Sequence, residues 1–269
     1  MKKISLLIVL LAIGTFAFAQ NRQTRDVGTF TRLAFRVPGK LYLKQGSPQK
    51  VELEGPADVL KEVETELEGD RLVIGREGRW SWSWRDSERI TAYVTVKDIN
   101  AISVSGSGDL IAEGQFKVSD LKLNVSGSGS LEIEAVATGN MEADVSGSGD
   151  IMLKGSCTNY DSDVSGSGKI NMNVTVREEA DFGVSGSGQI RAEGSAKQVK
   201  TSISGSGKVL AANLVADKCE IRISGSGDCE INVKSDLDAT ISGSGSVTYK
   251  GDPQHVNSHS SGSGHVRKF

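Results

Sequence analysis

The tetrapeptide Ser-Gly-Ser-Gly occurs nine times in this chain, beginning at Ser105, Ser126, Ser146, Ser165, Ser185, Ser204, Ser224, Ser242 and Ser261. Successive copies lie 18 to 21 residues apart. A period held this steadily over most of a chain indicates a solenoid, in which each repeat is one unit that buries its apolar face only against its neighbours. Flexible Gly/Ser spacers lack phased aliphatic residues between the glycines, and here the phasing is strict. Taking the first serine as position zero, position −1 reads Val104, Val125, Val145, Val164, Val184, Ile203, Ile223, Ile241 and Ser260. Position +5 reads Leu110, Leu131, Ile151, Ile170, Ile190, Val209, Cys229, Val247 and Val266, and positions −5 and +7 are likewise mostly apolar.

Apolar residues therefore occupy odd positions and polar residues most even ones. That is the period of two expected for strands with one buried face, and the β-branched bias agrees with it. The same parity places both glycines of each copy inward, where a narrow coil lacks room for side chains, and both serines outward. Each repeat is then one coil of a parallel β-helix, with Ser-Gly-Ser-Gly at a corner or a glycine-kinked strand. Nine coils of 18–21 residues, ~4.8 Å apart, make a rod roughly 40 Å long.

Before the repeats, Met1–Ala19 carries Lys2 and Lys3, an apolar run from Ile4 to Ile13 and Ala17-Phe18-Ala19. This pattern predicts a secretory signal with mature protein from Gln20. The apolar run is shorter than the ~20 residues of a membrane span, so no span is expected after cleavage. The net charge is −3, and removal of two lysines takes it to −5, which argues against a nucleic-acid partner. Residues 20–97 lack the repeat and read as a β-rich N-terminal capping segment: strands at Arg32–Val37, Lys40–Lys44, Val51–Glu54, Leu72–Ile74 and Ile90–Val96. Val59, Leu60, Val63 and Leu67 follow Pro56 at helical spacing and predict a short helix ending at Gly69. Residues 98–269 form the β-helix.

The N-terminal segment also contains Arg79-Trp80-Ser81-Trp82-Ser83-Trp84-Arg85, with every tryptophan of the chain. On a strand, Trp80, Trp82 and Trp84 share one face. Flanked by Arg79 and Arg85, they read as an aromatic contact surface for sugar rings or a protein partner; the competing reading is a cover for the apolar end of the solenoid.

Other candidates are weaker. Cys219 and Cys229 occupy aliphatic positions of one coil and read as buried thiols rather than a bridge. His255, His259 and His265 all fall in the last coil, and neither they nor the cysteines make a metal motif. The residue after each copy is acidic only at Asp109, Asp150 and Asp228, too irregular for a calcium ladder. Asp144 and Asp163 take equivalent outward positions, with Asp161 and Asp181 nearby, but no basic helper shares their position beside them, as polysaccharide-cleaving chemistry requires. No phosphate-binding loop is present, and no catalytic residues, metal site or cofactor are expected.

The signal peptide, the strand-rich N-terminal segment and the Ser-Gly-Ser-Gly repeats resemble the bacterial family described as "putative auto-transporter adhesin, head GIN domain". The resemblance covers about Thr29 to Phe269. It implies a right-handed β-helix in cell-envelope proteins of Bacteroidetes-like bacteria, without catalytic residues. The expected function is an exported, non-enzymatic surface-binding protein or adhesin, located in the periplasm, on the outer cell surface or outside the cell. A carbohydrate-active β-helix enzyme and a self-assembling envelope protein are the alternatives. A glycan or cell-surface protein is the expected partner, with a homo-oligomer also open.

Overall fold

The computed structural model describes residues 21–76 and 89–269. The leader Met1–Ala19 and the tryptophan segment lie outside the described residues.

Seven strands and one helix precede the repeats: β1 Asn21–Arg25, β2 Arg32–Phe35, β3 Gly39–Gln45, β4 Lys50–Gly55, α1 Ala57–Glu62, β5 Val63–Glu68, β6 Arg71–Arg76 and β7 Ile90–Val96. Each early repeat then gives a pair of strands around its corner: β8 Ala101–Gly106 and β9 Asp109–Val118, β10 Leu121–Gly127 and β11 Ser130–Ala137, β12 Asn140–Gly147 and β13 Asp150–Cys157, β14 Asn159–Gly166 and β15 Lys169–Val176. After β16 Glu179–Gly186 the two sides of successive coils merge into long bent strands, β17 Gln189–Gly205, β18 Lys208–Gly225 and β19 Asp228–Gly243. The last coils are β20 Ser246–Lys250, β21 His255–Ser261 and β22 His265–Lys268.

All repeat strands pair in parallel with the equivalent strand one coil away, giving a β-solenoid of about eight turns. The expected ladders form: Val125 lies in register with both Val104 and Val145, and Ile151 with both Leu131 and Ile170. These side chains are buried. Each contributes about 1.5–3 kcal/mol by leaving water, repeated coil after coil. Tyr160 and Phe182 pack edge to face in the core, with ring centroids 6.2 Å apart. Cys157, Cys219 and Cys229 are free and buried. Burial pushes the Cys157 thiol up to about 11 and that of Cys219 up to about 12, so neither forms a reactive thiolate near neutral pH.

The corner corrects one expectation. Both serines of the corner face solvent, as at Ser165 and Ser167, and the second glycine, Gly168, is buried. The first glycine, Gly166, is exposed rather than inward. Its φ of +117° reverses the chain direction, so the strict alternation does not run through it. A Cβ on Gly166 would meet the Gly147 carbonyl oxygen of the preceding coil at 2.7 Å. A Cβ on Gly168 would meet Gly149 O at 2.6 Å and the Val145 side chain. The first glycine supplies backbone conformation and the second supplies space. Between coils, Ser167 N donates to Gly147 O (2.8 Å) and Lys169 N to Gly149 O (3.0 Å), so the bend leaves these donors satisfied.

The N-terminal strands share this architecture. β2 pairs in parallel with β8 and β6, and β3 with β9 and β7. Antiparallel strands then cover the outer edge: β4 on β7, β1 on β4 and β5 on β6. The helix is shorter than its spacing predicts. It stops at Glu62, and Val63–Glu68 is strand β5. The turn at Gly69-Asp70, with Gly69 at φ +65°, folds β5 back on β6, and ladder hydrogen bonds outweigh the helical pattern. Leu67 is 43% exposed there, not core.

Candidate functional site

None of the described residues tests the tryptophan surface. Trp80, Trp82, Trp84, Arg79 and Arg85 fall between Arg76 at the end of β6 and Ile90 at the start of β7. In every complete repeat the same interval, between the first and second strands of a coil, is occupied by Ser-Gly-Ser-Gly.

The acidic group is present as expected. Asp144 is in register with Asp163, Glu142 with Asp161, and Asp161 with Asp181, on the outer face of β12, β14 and β16. Partial desolvation, then the charges of Asp163 and Asp181, raise the Asp161 carboxyl to about 6. Asp144 and Asp181 are also raised, first by burial. The sequence reading missed the basic partners, because they come from the adjacent column of residues. Lys122 pairs with Glu142 and reaches Asp144 at 3.4 Å. Lys200, in register with Asp181, pairs with Glu179 at 2.9 Å. These contacts bridge successive coils, and the acids thereby become part of the inter-coil bracing. Among the described residues no cluster of His, Cys, Asp and Glu is placed to hold a metal.

Tyr42 and Tyr93 stack outward on β3 and β7, with centroids 5.6 Å apart and planes at 17°. The Arg22 guanidinium covers Tyr93 at 4.2 Å from the ring centroid, and Ile111 follows Tyr42 in register. The ring faces that would accept a flat ligand are thus turned toward protein, and the ladder is structural.

A different arrangement occurs on the outer side of β11, β13, β15 and β17. A groove of about 300 Å³ crosses these four strands. One wall is the register column Glu132, Met152, Asn171 and Arg191; the other is Glu134, Lys154, Asn173 and Glu193. Between them runs the main chain of Ile133, Leu153 and Met172, whose side chains point the other way and are buried in the solenoid core. Bulges in the flanking strands mark its two ends: the β9–β11 pairing shifts register between Glu132 and Glu134, and the β17–β18 pairing between Arg191 and Glu193. Gly155 and Gly194 follow with φ of +137° and +117°. Glu134 accepts a hydrogen bond from the Gln115 amide at 2.8 Å. The side chains of Glu132, Lys154, Asn171, Asn173, Arg191 and Glu193 form no hydrogen bond or ion pair with another described residue. Met152 is 42% exposed. Alternation marks these positions only as outward. The usable signal was an apolar Met152 at such a position.

The fold and groove define an all-β parallel solenoid with a lateral groove. A family model described as "Putative auto-transporter adhesin, head GIN domain" matches residues 29–192 and 174–253, and the chain belongs to that family. Similar solved structures include a "putative lipid binding protein" from Parabacteroides distasonis, 22% identical, covering 93% of this chain and 96% of that one at a TM-score of 0.69. A "putative adhesin" from Parabacteroides merdae is 20% identical over 93% and 96% of the two chains, with a TM-score of 0.68. A further "putative adhesin" from Parabacteroides distasonis is 19% identical over 93% and 97%, with a TM-score of 0.70. At these identities the likeness shows the fold. Comparison with curated protein sequences gives no match. Among the described residues no helix is long and apolar enough to cross a membrane.

Proposed function

We propose that the protein is exported to the cell envelope and acts there as a non-catalytic adhesin, holding a surface ligand along one flank of the solenoid. The observation that carries this reading is the groove, where six polar side chains have no partner among the described residues while elsewhere lysines bridge the coils. The family's adhesin description and the leader-like Met1–Ala19 support export and surface binding. The carboxylate placement supports the non-catalytic part. Glu132 and Glu193 stand three coils apart, ~14 Å along the axis, beyond the separation at which two carboxylates cleave a glycosidic bond. Glu132 and Glu134 stand in opposite walls, but Glu134 is held by the Gln115 amide at 2.8 Å.

Surface biotinylation of intact cells, followed by adhesion of protein-coated beads to the same cell surface, tests the proposal. Labelling of the protein on intact cells and bead retention above an uncoated control are expected. Exclusive recovery from the cytoplasm, or no retention, overturns it.

A further inference from the structure

We infer that the groove across β11, β13, β15 and β17 binds an uncharged, extended oligosaccharide lying along the solenoid axis. This rests on the binding role above and supplies its ligand class.

The shape is set by the register. Both walls are straight columns with one side chain per coil, so side chains, all polar but Met152, recur every ~4.8 Å over ~14 Å. A linear polymer with a short repeat can meet a side chain at every rung of such a track. The exposed Met152 side chain, standing in one wall, offers apolar surface to the C–H face of a sugar ring. Asn171 and Asn173 each supply donors and an acceptor, the carboxylates supply acceptors, and Lys154 and Arg191 supply donors. That mixture suits hydroxyl groups, which both donate and accept.

Charge narrows the class. Three carboxylates and two cations line the walls, leaving a single negative charge, so the groove does not attract polyanions. Geometry disfavours an extended peptide. Peptides recognised in extended form add to an exposed sheet edge through main-chain hydrogen bonds, whereas β11, β13, β15 and β17 are paired on both sides. The lack of partners has a local contrast. Lys154 is in register with Glu134, the arrangement that elsewhere gives a bridge such as Lys208–Asp228 at 3.2 Å, yet here the ammonium is left free for a ligand.

The test is calorimetric titration of the purified full chain with neutral linear hexasaccharides of glucose, mannose, xylose, galactose and N-acetylglucosamine. A galacturonate hexamer and an uncharged hexapeptide serve as the other classes. At least one neutral hexasaccharide is expected to bind with Kd below 1 mM. The double variant Asn171→Ala/Asn173→Ala should weaken that binding at least tenfold with an unchanged melting temperature, and Lys122→Ala on the other face should leave it unchanged. No binding to any neutral hexasaccharide, tighter binding of the galacturonate or peptide, or binding unaffected by the double variant overturns the inference. Chain length of the sugar after titration separates the two readings. A shortened sugar overturns the non-catalytic role and leaves the ligand class intact. Bead adhesion that survives in the double variant, with no sugar bound by the parent, removes the groove and leaves the adhesin.

Discussion

The two strand faces that meet at each Ser-Gly-Ser-Gly corner have the same backbone and opposite side-chain behaviour. On β12 and β16 outward charges brace the coils: Lys122 ties one coil to the next through Glu142 and Asp144, and Lys200 does so through Glu179. On β11, β13, β15 and β17 comparable charges in comparable register remain unpaired between two bulges. A regular solenoid thus separates holding itself together from holding something else. The separation requires a corner that isolates the faces.

The corner is the most sensitive point. Gly168→Val puts a side chain against Val145 and Gly149 O and should cost about 3 kcal/mol in a denaturant melt, from overpacking. Ser167→Ala, exposed beside it, should change stability by less than about 0.5 kcal/mol. Equal effects would mean that the corner does not separate the faces. The core beneath the groove comes next. Leu153→Ala should cost about 2–3 kcal/mol through the cavity it leaves, with sugar binding measured well below the melt retained, because this side chain faces the core and not the groove.

Smaller effects distinguish the two outer faces directly. Lys122→Ala should lower stability by up to about 1 kcal/mol, the scale of exposed ion pairs. Lys154→Ala should leave the melting temperature unchanged and weaken ligand binding. The reverse pattern would invert the assignment of roles. The smallest effect is on pH. The folded protein keeps the Asp161 proton up to about pH 6, whereas the unfolded chain releases it near the ordinary carboxylate value of ~3.9. Stability from this group is therefore present at acid pH and lost as pH rises from about 4 to about 6. Because Asp161 is exposed, screening keeps the effect below about 1 kcal/mol. Asp161→Asn should flatten the dependence and slightly raise the melting temperature at pH 7; a steeper dependence in the variant would contradict the sign.

What the sequence made legible follows from what repeats. Val104, Val125 and Val145 recur at one phase, and the structure stacks them. The first glycine was misplaced because counting alternation assumes every residue is extended, and Gly166 at φ +117° is not. The antiparallel strands β1, β4 and β5 could not be read as such, since chain reversal leaves no periodic trace. The helix at Ala57–Glu62 was overextended because Val63 and Leu67 satisfy a helical pattern while pairing with β6. The groove was missed because its defining property is contacts that are not made, and residue identity alone does not show which charges find partners. Asp144 and Asp163 were visible as a stack, but Lys122, which reaches Asp144, comes from the neighbouring column and emerges only with the register.

The corner hydrogen bonds have a consequence for length. Gly166 O accepts from Ser187 N just as Gly147 O accepts from Ser167 N, so each coil presents to the next the same surface that it received from the last. An extra copy of residues 165–184 inserted after Val184 would meet neighbours it already fits. Such a molecule would be ~4.8 Å longer with no new kind of contact, and its groove would gain another rung. The fold is extensible in the manner of a ruler: its graduations are fixed, and its span is a matter of how many are laid end to end.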